Sequence, residues 1–322
     1  MVGVPADEAI PVRGTVLVTG AAGFVGSRVV RRLSADGRFY VVATDIAAGE
    51  DSDALGALPA VRFETADLRD EHAIEGLTEG VTHVVHLAAL RSKASQGGLR
   101  AGLDVNVGST YCLLMQAAKR GMTGFVYGSS HLVYGAFPDR NQWFSESDAA
   151  VRSGLSLYAA AKVASEAFVR AFAEEFGFAN LSLRFGGIYG PNSAPGSNSY
   201  TMLDVLDAID RNDVPVVTWS RDTKQALIYV EDVARAVVRA LDFPISGTAV
   251  NVVDKPRRCE EIYSTLVRLY GADPERLVWA DRQRYQNVRG DLLVEGLGCP
   301  SVTTLDVGLA SIIEWHRSGA TR

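Results

Sequence analysis

The segment Thr19-Gly20-Ala21-Ala22-Gly23-Phe24-Val25-Gly26 constrains this chain more than any other. It follows a β-branched apolar run, Thr15-Val16-Leu17-Val18, and opens a helical pattern, Ser27-Arg28-Val29-Val30-Arg31-Arg32-Leu33. Strand, glycine turn and helix in that order form the context a dinucleotide-binding loop requires. Gly20, Gly23 and Gly26 permit the tight turn, let backbone N–H groups reach phosphate oxygens and aim a helix N-terminus at negative charge, with Phe24 and Val25 completing the loop. The next apolar run, Phe39–Thr44, ends in Asp45, 19 residues after Gly26. A carboxylate there accepts hydrogen bonds from an adenosine ribose and repels a 2′-phosphate, so the expected cofactor is NAD rather than NADP. Ile46–Asp51 contains no Arg or Lys that would neutralise an added phosphate.

Strand-like runs alternate with helical stretches through the first 190 residues or so: Val16–Thr19, Tyr40–Thr44, Val61–Thr65, Val81–Leu87, Gly124–Ser129 and Leu181–Phe185. Such alternation predicts an α/β fold, a Rossmann-like doubly wound parallel sheet buried on both faces. Ligands gather at the carboxyl ends of such strands. The chemically informative residues fall there: Gly20, Asp45, Asp67, Leu87-Ala88-Ala89, Ser129-Ser130 and Phe185-Gly186-Gly187. Beyond Pro191 the regularity fails at a turn-rich stretch, Asn192–Asn198. Residues 14–187, with 226–254 returning to them, are therefore expected to form the NAD-binding domain. Residues 188–225 and 255–322 are expected to form a smaller C-terminal lobe over the substrate. Within the returning segment, a strand Leu227–Val230 followed by a helix is expected to rejoin the main sheet.

Composition removes several function classes. A net charge of −6 offers no basic face for nucleic acid, and no stretch approaches the roughly 20 apolar residues of a membrane span. Residues 1–13 carry Asp7, Glu8 and one cation, Arg13, without the basic start and apolar core of a secretory signal, and read as a loose tail. Cys112, Cys259 and Cys299, odd in number and widely spaced, argue for a reducing cytoplasm and against a disulfide frame or structural zinc. His83 and His86 lie three apart on a strand and so point to opposite faces, which argues against a metal site.

A second motif carries chemistry. Tyr158 and Lys162 are four apart in a helix-favouring stretch, Leu157–Phe176, and share one face. A phenol with a pKa of about 10 is a poor base at neutral pH. A neighbouring ammonium and a positive nicotinamide ring are expected to lower that value. Tyr158 then takes an alcohol proton while hydride leaves the same carbon, or returns it. Ser129-Ser130, ending an apolar strand at the same rim, supplies a hydroxyl to hold the carbinol oxygen. Phe168, Phe172 and Phe176 recur every four residues, a stripe for a core or a dimer face.

With these motifs together, the sequence resembles the extended short-chain dehydrogenase/reductase family of NAD-dependent sugar epimerases and dehydratases, closest to the UDP-glucose 4-epimerase type. The likeness runs through Thr19–Gly26, Asp45, Asp67-Leu68, His86–Ala89, Asn106–Thr110, Ser129-Ser130 with Val133–Gly135, Tyr158–Lys162, Leu183–Phe185 with Tyr189–Pro191, Ile228–Ala234 and Leu297–Pro300. The resemblance implies Ser130, Tyr158 and Lys162 as the catalytic set, Lys162 also bonding the nicotinamide ribose. It implies Asp67 and Leu68 at the adenine, and Leu87, Ala88 and Ala89, with Asn106 and Phe185, along the dinucleotide. It also implies a homodimer formed through helices Asn106–Arg120 and Ser156–Phe176.

Departures from the family pattern narrow the reaction. The related 4,6-dehydratases place an Asp-Glu pair after the catalytic Ser/Thr, whereas this chain has His131 and Leu132. Positions expected to touch substrate are Ser129, Ser130, His131, Gly187 and Gln225, the last two replacing the family's Asn and Arg. Either a nucleotide is gripped differently, through Arg221, Lys224, Arg282, Arg284 or Arg289, or the substrate is a smaller sugar or sugar acid. The leading reading is an NAD-dependent epimerase of a sugar nucleotide. The alternatives are a net NAD-dependent dehydrogenase or ketoreductase of a sugar, sugar acid or sugar-derived alcohol, and a non-catalytic NAD-binding scaffold.

Overall fold

A computed structural model describes residues 13–319 apart from 48, 92–97, 138, 149–153 and 194–196. Residues 1–12, nearly all of the expected tail, and part of the Asn192–Asn198 turn lie outside the described residues.

Six strands occur in the first part of the chain: β1 (Thr15–Thr19), β2 (Tyr40–Asp45), β3 (Val61–Thr65), β4 (His83–His86), β5 (Gly124–Ser130) and β6 (Ala179–Phe185). Between them run α1 (Gly26–Asp36), α2 (Glu50–Gly56), α3 (Glu71–Leu77), α4 (Gly98–Leu103), α5 (Ser109–Arg120) and α6 (Leu157–Phe176). Two short strands, β7 (Gly187–Tyr189) and β8 (Val216–Val217), flank α7 (Asn198–Asp210). There follow β9 (Lys224–Gln225), β10 (Leu227–Tyr229), α8 (Val230–Ala240) and β11 (Thr248–Val252). The chain ends with β12 (Arg257–Arg258), α9 (Cys259–Tyr270), β13 (Val278–Trp279), α10 (Asp291–Glu295) and α11 (Leu305–Arg317).

The central sheet has seven parallel strands in the order β3-β2-β1-β4-β5-β6-β11. The order reverses between β1 and β4, and that switch point is where a doubly wound sheet leaves a crevice for ligand. Alternation along β1 builds the two faces. Val16 and Val18 pack with Val29, Val30 and Leu33 of α1 and with Val233 and Val237 of α8. Leu17 points the other way, into a core shared with Leu113 and Leu114 of α5 and Val169 of α6.

The sequence expectation is corrected at one strand. β10 does not rejoin the main sheet; it pairs with β7 in a separate two-stranded sheet, and the seventh main-sheet strand is β11, beside β6. A second core, drawn from α7, α9 and α11, contains Met202, Leu206, Ile262, Leu266, Leu309 and Ile312. The C-terminal segment is not confined to it. Leu293, Leu297 and Cys299 pack into the main-sheet core instead. Val133, Tyr134, Phe137, Phe144, Ala226, Val253 and Val288 form a separate, smaller cluster that includes the turn following Ser130. Among the described residues, no helix is long and apolar enough to cross a membrane, and no group of three or more His, Cys, Asp or Glu is placed to hold a metal ion.

Candidate active site

β1 stops at Thr19 and the chain turns through Gly20 at φ +67°, a left-handed value that favours glycine. A Cβ at Gly20 would lie 2.8 Å from the Ala88 nitrogen, so the loop lies directly against the chain leaving β4. A Cβ at Gly26 would lie 2.0 Å from the Gly20 oxygen, so α1 starts where it does because position 26 lacks a side chain. The Gly23 N–H donates to the Gly20 carbonyl at 3.1 Å and closes the turn. Phe24 gives its carbonyl to Arg28 and its ring face to the same guanidinium, 4.9 Å away, while Val25 precedes the helix.

Asp45 stands at the end of β2. Its Oδ2 accepts the Ala22 N–H at 3.1 Å and its Oδ1 accepts the Ile46 N–H at 2.8 Å. No cation pairs with it among the described residues, so lone pairs remain for a ribose. Across the switch point, Thr19 Oγ1 accepts the N–H groups of Leu87 and Ala88 at 3.2 and 3.3 Å, tying β1 to the chain that continues into Ala89. A glycine cradle that any Cβ would fill, a helix N-terminus behind it and an unpaired carboxylate 19 residues on together fit a dinucleotide with a free 2′-hydroxyl.

Other positions assigned to the cofactor have work within the fold. Asn106 clamps the chain, its Oδ1 accepting the Leu90 N–H at 2.8 Å and its Nδ2 donating to the Leu90 carbonyl at 2.9 Å. It occupies a π-helical turn, Asp104–Gly108, ahead of α5. Asp67 is ion-paired with Arg69, which holds its carboxyl below the usual range, and Leu68 is buried beside it. Phe185 packs against Gly128 and gives its carbonyl to His131.

The second motif is placed by α6 and β5. Ser156 caps α6 by accepting the Ala159 N–H, and the helix carries Tyr158 and Lys162 on its first two turns. Lys162 is buried and donates to the Gly128 carbonyl at 2.6 Å, with its ammonium 4.6 Å from the Tyr127 ring centroid and 5.7 Å from that of Tyr158. Burial pushes its pKa down to about 7. Tyr158 departs from the sequence expectation: burial raises its phenol pKa, and the opposing positive charge comes from Arg91, a residue sequence reasoning passed over. The Lys162 ammonium faces a carbonyl and the Tyr127 ring, so it does not lower the phenol in the free protein.

Ser130 ends β5 and caps a 3₁₀ turn, His131–Tyr134, its Oγ accepting the Leu132 N–H at 3.2 Å. Its own proton has no acceptor among the described residues. Ser129 faces the opposite way and its hydroxyl donates to Glu166, so it is removed from the proposed substrate contacts. Glu166 in turn is paired with Arg184 at 2.8 Å, and Arg184 donates to Tyr134 Oη at 2.9 Å. Sequence reasoning placed Tyr134 and Arg184 within the family likeness but did not foresee this buried network, for which the apolar setting of Arg184 was the physical signal.

His131 is likewise internal. Its Nε2 accepts from Gln286 Nε2 at 2.7 Å, which leaves the proton on Nδ1, donated to the Phe185 carbonyl at 2.8 Å. Burial lowers its pKa to about 4, so it is neutral at physiological pH. His86 is also neutral and structural, bridging Thr19 and Thr110 with its pKa lowered by burial to about 3. Gly187 lies in β7, where a Cβ would come within 2.9 Å of Asn198 Nδ2, so the first turn of α7 brings an amide to a position that has no side chain of its own. Gln225 is buried, its amide donating to Cys259 Sγ at 3.2 Å.

A parallel sheet with its glycine loop at the switch point, joined to a Tyr-x-x-x-Lys helix at the neighbouring rim, defines a dinucleotide-dependent enzyme of the short-chain dehydrogenase/reductase type. The chain belongs to the NAD dependent epimerase/dehydratase family, whose pattern matches residues 16–253. It is 29% identical over 316 residues to the UDP-glucose 4-epimerase of Mycolicibacterium smegmatis, an alignment spanning 94% of this chain and 98% of that one. It is 27% identical over 339 residues to the dTDP-glucose 4,6-dehydratase of Escherichia coli, spanning 94% and 92%. Among solved structures, the UDP-glucose 4-epimerase of Thermus thermophilus in complex with NAD matches with a TM-score of 0.79 at 26% identity, over 94% of this chain and 99% of that one. The cofactor is NAD.

Proposed function

We propose that this enzyme epimerises a sugar nucleotide by oxidising one carbinol to a ketone and reducing it again from the other face. The observation that carries this reading is the state of His131. Eliminating water from the keto-sugar needs a second acid and base beside the first. After Ser130 this chain has a neutral imidazole with both nitrogens engaged, then Leu132. Neither is placed to take or give that second proton, which disfavours elimination and supports oxidation and re-reduction of one carbinol.

NAD, when bound, supplies a reversible hydride acceptor. In this proposal Tyr158 moves the carbinol proton, with Arg91 as the nearby positive charge that favours its ionised form. Ser130 presents its hydroxyl proton to the substrate oxygen, its own oxygen steadied by the Leu132 N–H. Lys162 fixes the helix face against β5 through the Gly128 carbonyl. We further propose that two copies pair through α5 and α6, whose outer faces expose Tyr111, Met115, Phe168 and Phe176.

The test is to incubate the purified enzyme with UDP-glucose, UDP-glucuronate and dTDP-glucose, following product stereochemistry by NMR and NADH by absorbance. Inversion at one sugar carbon, without added NAD and without NADH accumulating, is expected. A 4-keto-6-deoxy product would replace the reading with a dehydratase, and steady NADH appearance with a net dehydrogenase.

A further inference from the structure

This inference rests on the reading that the chain just beyond β6 meets the substrate. Phe185 is the partner of Ser130 in the main sheet, and Gly187 follows two residues later at the start of β7. The stretch Gly187–Pro191 is fastened to the first turn of α7. Asn198 donates to the Ile188 carbonyl at 3.2 Å, and the Ser199 hydroxyl donates to the Gly190 carbonyl at 2.8 Å while accepting the Gly190 N–H at 3.0 Å. A Cβ at Gly190 would come within 2.5 Å of Val230 Cγ1, so the stretch also lies directly against the first residue of α8.

One side chain ties this stretch to the glycine loop. Arg28, in the first turn of α1, is only 13% exposed. Its Nη1 donates to the Phe24 carbonyl at 2.8 Å and its Nη2 to the Pro191 carbonyl at 2.8 Å. Its Nε lies 3.1 Å from Glu231 in an ion pair, and Glu231, in the first turn of α8, is shared with Arg32 at 2.6 Å. The loop, α1, the end of β7 and α8 thus converge on one guanidinium. Burial lowers its pKa and Glu231 opposes that shift, so these contacts offset the cost of taking the cation out of water.

The peptide that Arg28 grips also bears on the cofactor. In a trans peptide the Phe24 carbonyl and the Val25 N–H point opposite ways. With the carbonyl fixed on Arg28, the Val25 N–H is turned away from it, and among the described residues it has no acceptor. At the start of a helix such an N–H is left for a phosphate oxygen. A planar fork suits this duty where an ammonium does not, because the fork meets separate acceptors in fixed directions.

We propose that Arg28 is a positioning residue that couples the two ligands, holding the Val25 N–H for the pyrophosphate of NAD and the Gly187–Pro191 stretch for the substrate, so that each ligand tightens the hold on the other. That reciprocity is required by linkage.

The test loads the protein with NAD, removes free NAD with an enzymatic trap, and follows loss of bound NAD with and without UDP-glucose or dTDP-glucose. In the wild type, at least one of the two is expected to slow the loss by about fivefold or more. Arg28→Gln is expected to release NAD about tenfold faster without ligand and to lose the slowing, and Arg28→Lys to lose the slowing as well. Ser199→Ala, which loosens Gly190 without touching the loop, is expected to keep the wild-type release rate without ligand and to lose the slowing. Arg32→Gln, which removes only the second partner of Glu231, is expected to match the wild type in both. Melting temperature is recorded alongside, because a general loosening between α1 and α8 would lower it and speed release in Arg32→Gln too. Slowing retained in Arg28→Gln or in Ser199→Ala would show that the sugar nucleotide simply covers the cofactor. That result, a wild type that responds to neither sugar nucleotide, or Arg32→Gln behaving as Arg28→Gln would overturn the inference. Should the Arg28 variants fail to fold, Ser199→Ala set against Arg32→Gln decides it by the same outcomes. No turnover is read, so an enzyme that epimerises with uncoupled ligands would refute this inference and leave the proposed reaction standing.

Discussion

Ser129 and Ser130 are adjacent, chemically identical and committed to opposite duties, because successive side chains of a strand point to opposite faces. The sequence marked both as rim residues; which of them faces the cleft depends on how β5 is oriented against α6, and that is settled only by packing. The same holds for Tyr158 and Lys162, whose pairing was legible from spacing while the direction of the phenol shift was not. Replacing Tyr158 by Phe removes the group proposed above to move the carbinol proton. Turnover is expected to fall by about 10²- to 10⁴-fold, with NAD content and melting temperature unchanged; retention of wild-type turnover would remove Tyr158 from the mechanism. Lys162 yields a pH prediction. Its pKa falls from 10.5 in the unfolded chain to about 7 in the fold, so between those values the unfolded state binds the extra proton. Stability then rises with pH across that window, and the penalty for burying the ammonium is fully present below it. In the NAD-free protein, the melting temperature of wild type relative to Lys162→Met is therefore expected to climb from pH 6.5 to pH 9.5; a flat difference would show that Lys162 keeps its proton.

At the level of elements, the glycine loop, β1 to β6 and α6 could be read from apolar runs and caps because each is specified by neighbours in sequence. β10 and β11 were harder. Both are short apolar runs, and the pattern of such a run does not say which strand it will pair with; β7 captures β10, leaving β11 to extend the sheet. The π-helical turn before α5 was equally hidden; it carries Asn106, whose clamp on Leu90 is a contact 16 residues away in sequence. The buried ladder Ser129–Glu166–Arg184–Tyr134 joins β5, α6, β6 and the 3₁₀ turn, fixing the rim on which Ser130 and Tyr158 stand. Its side chains are nearly inaccessible, 4% exposed for Arg184 and 6% for Glu166. Arg184→Leu leaves Glu166 buried without its counter-charge, so urea unfolding should show a loss of about 3–5 kcal/mol. A loss below about 1 kcal/mol, the range of an exposed pair, would mean that Glu166 finds water or a proton at little expense.

On the scale of the whole molecule, the unfinished surface is the outer face of α5 and α6. Tyr111 is 42% exposed, Met115 49% and Phe176 52%, a concentration of large apolar groups on two packed helices. Tyr111 meets Phe168 and Phe172 edge-on with ring centroids 5.4 Å apart in each case, so the patch is ordered before any partner arrives. An exposed apolar surface of this kind supports the pairing proposed above. Pairing two copies about a two-fold axis would bury it as a four-helix arrangement. The consequence reaches the site, because the same α6 that offers Phe168 and Phe176 outward carries Tyr158 and Lys162 at its other end. Docking the C-terminal half of the helix would hold the catalytic half against β5. Phe168→Glu is thus expected to convert a dimer to a monomer in light scattering, and to lower melting temperature and turnover together, although the substituted side chain lies two to three helical turns from Tyr158. A wild type that is monomeric at micromolar concentration, or a Phe168→Glu variant that still pairs, would place the interface elsewhere and cut this link between assembly and catalysis.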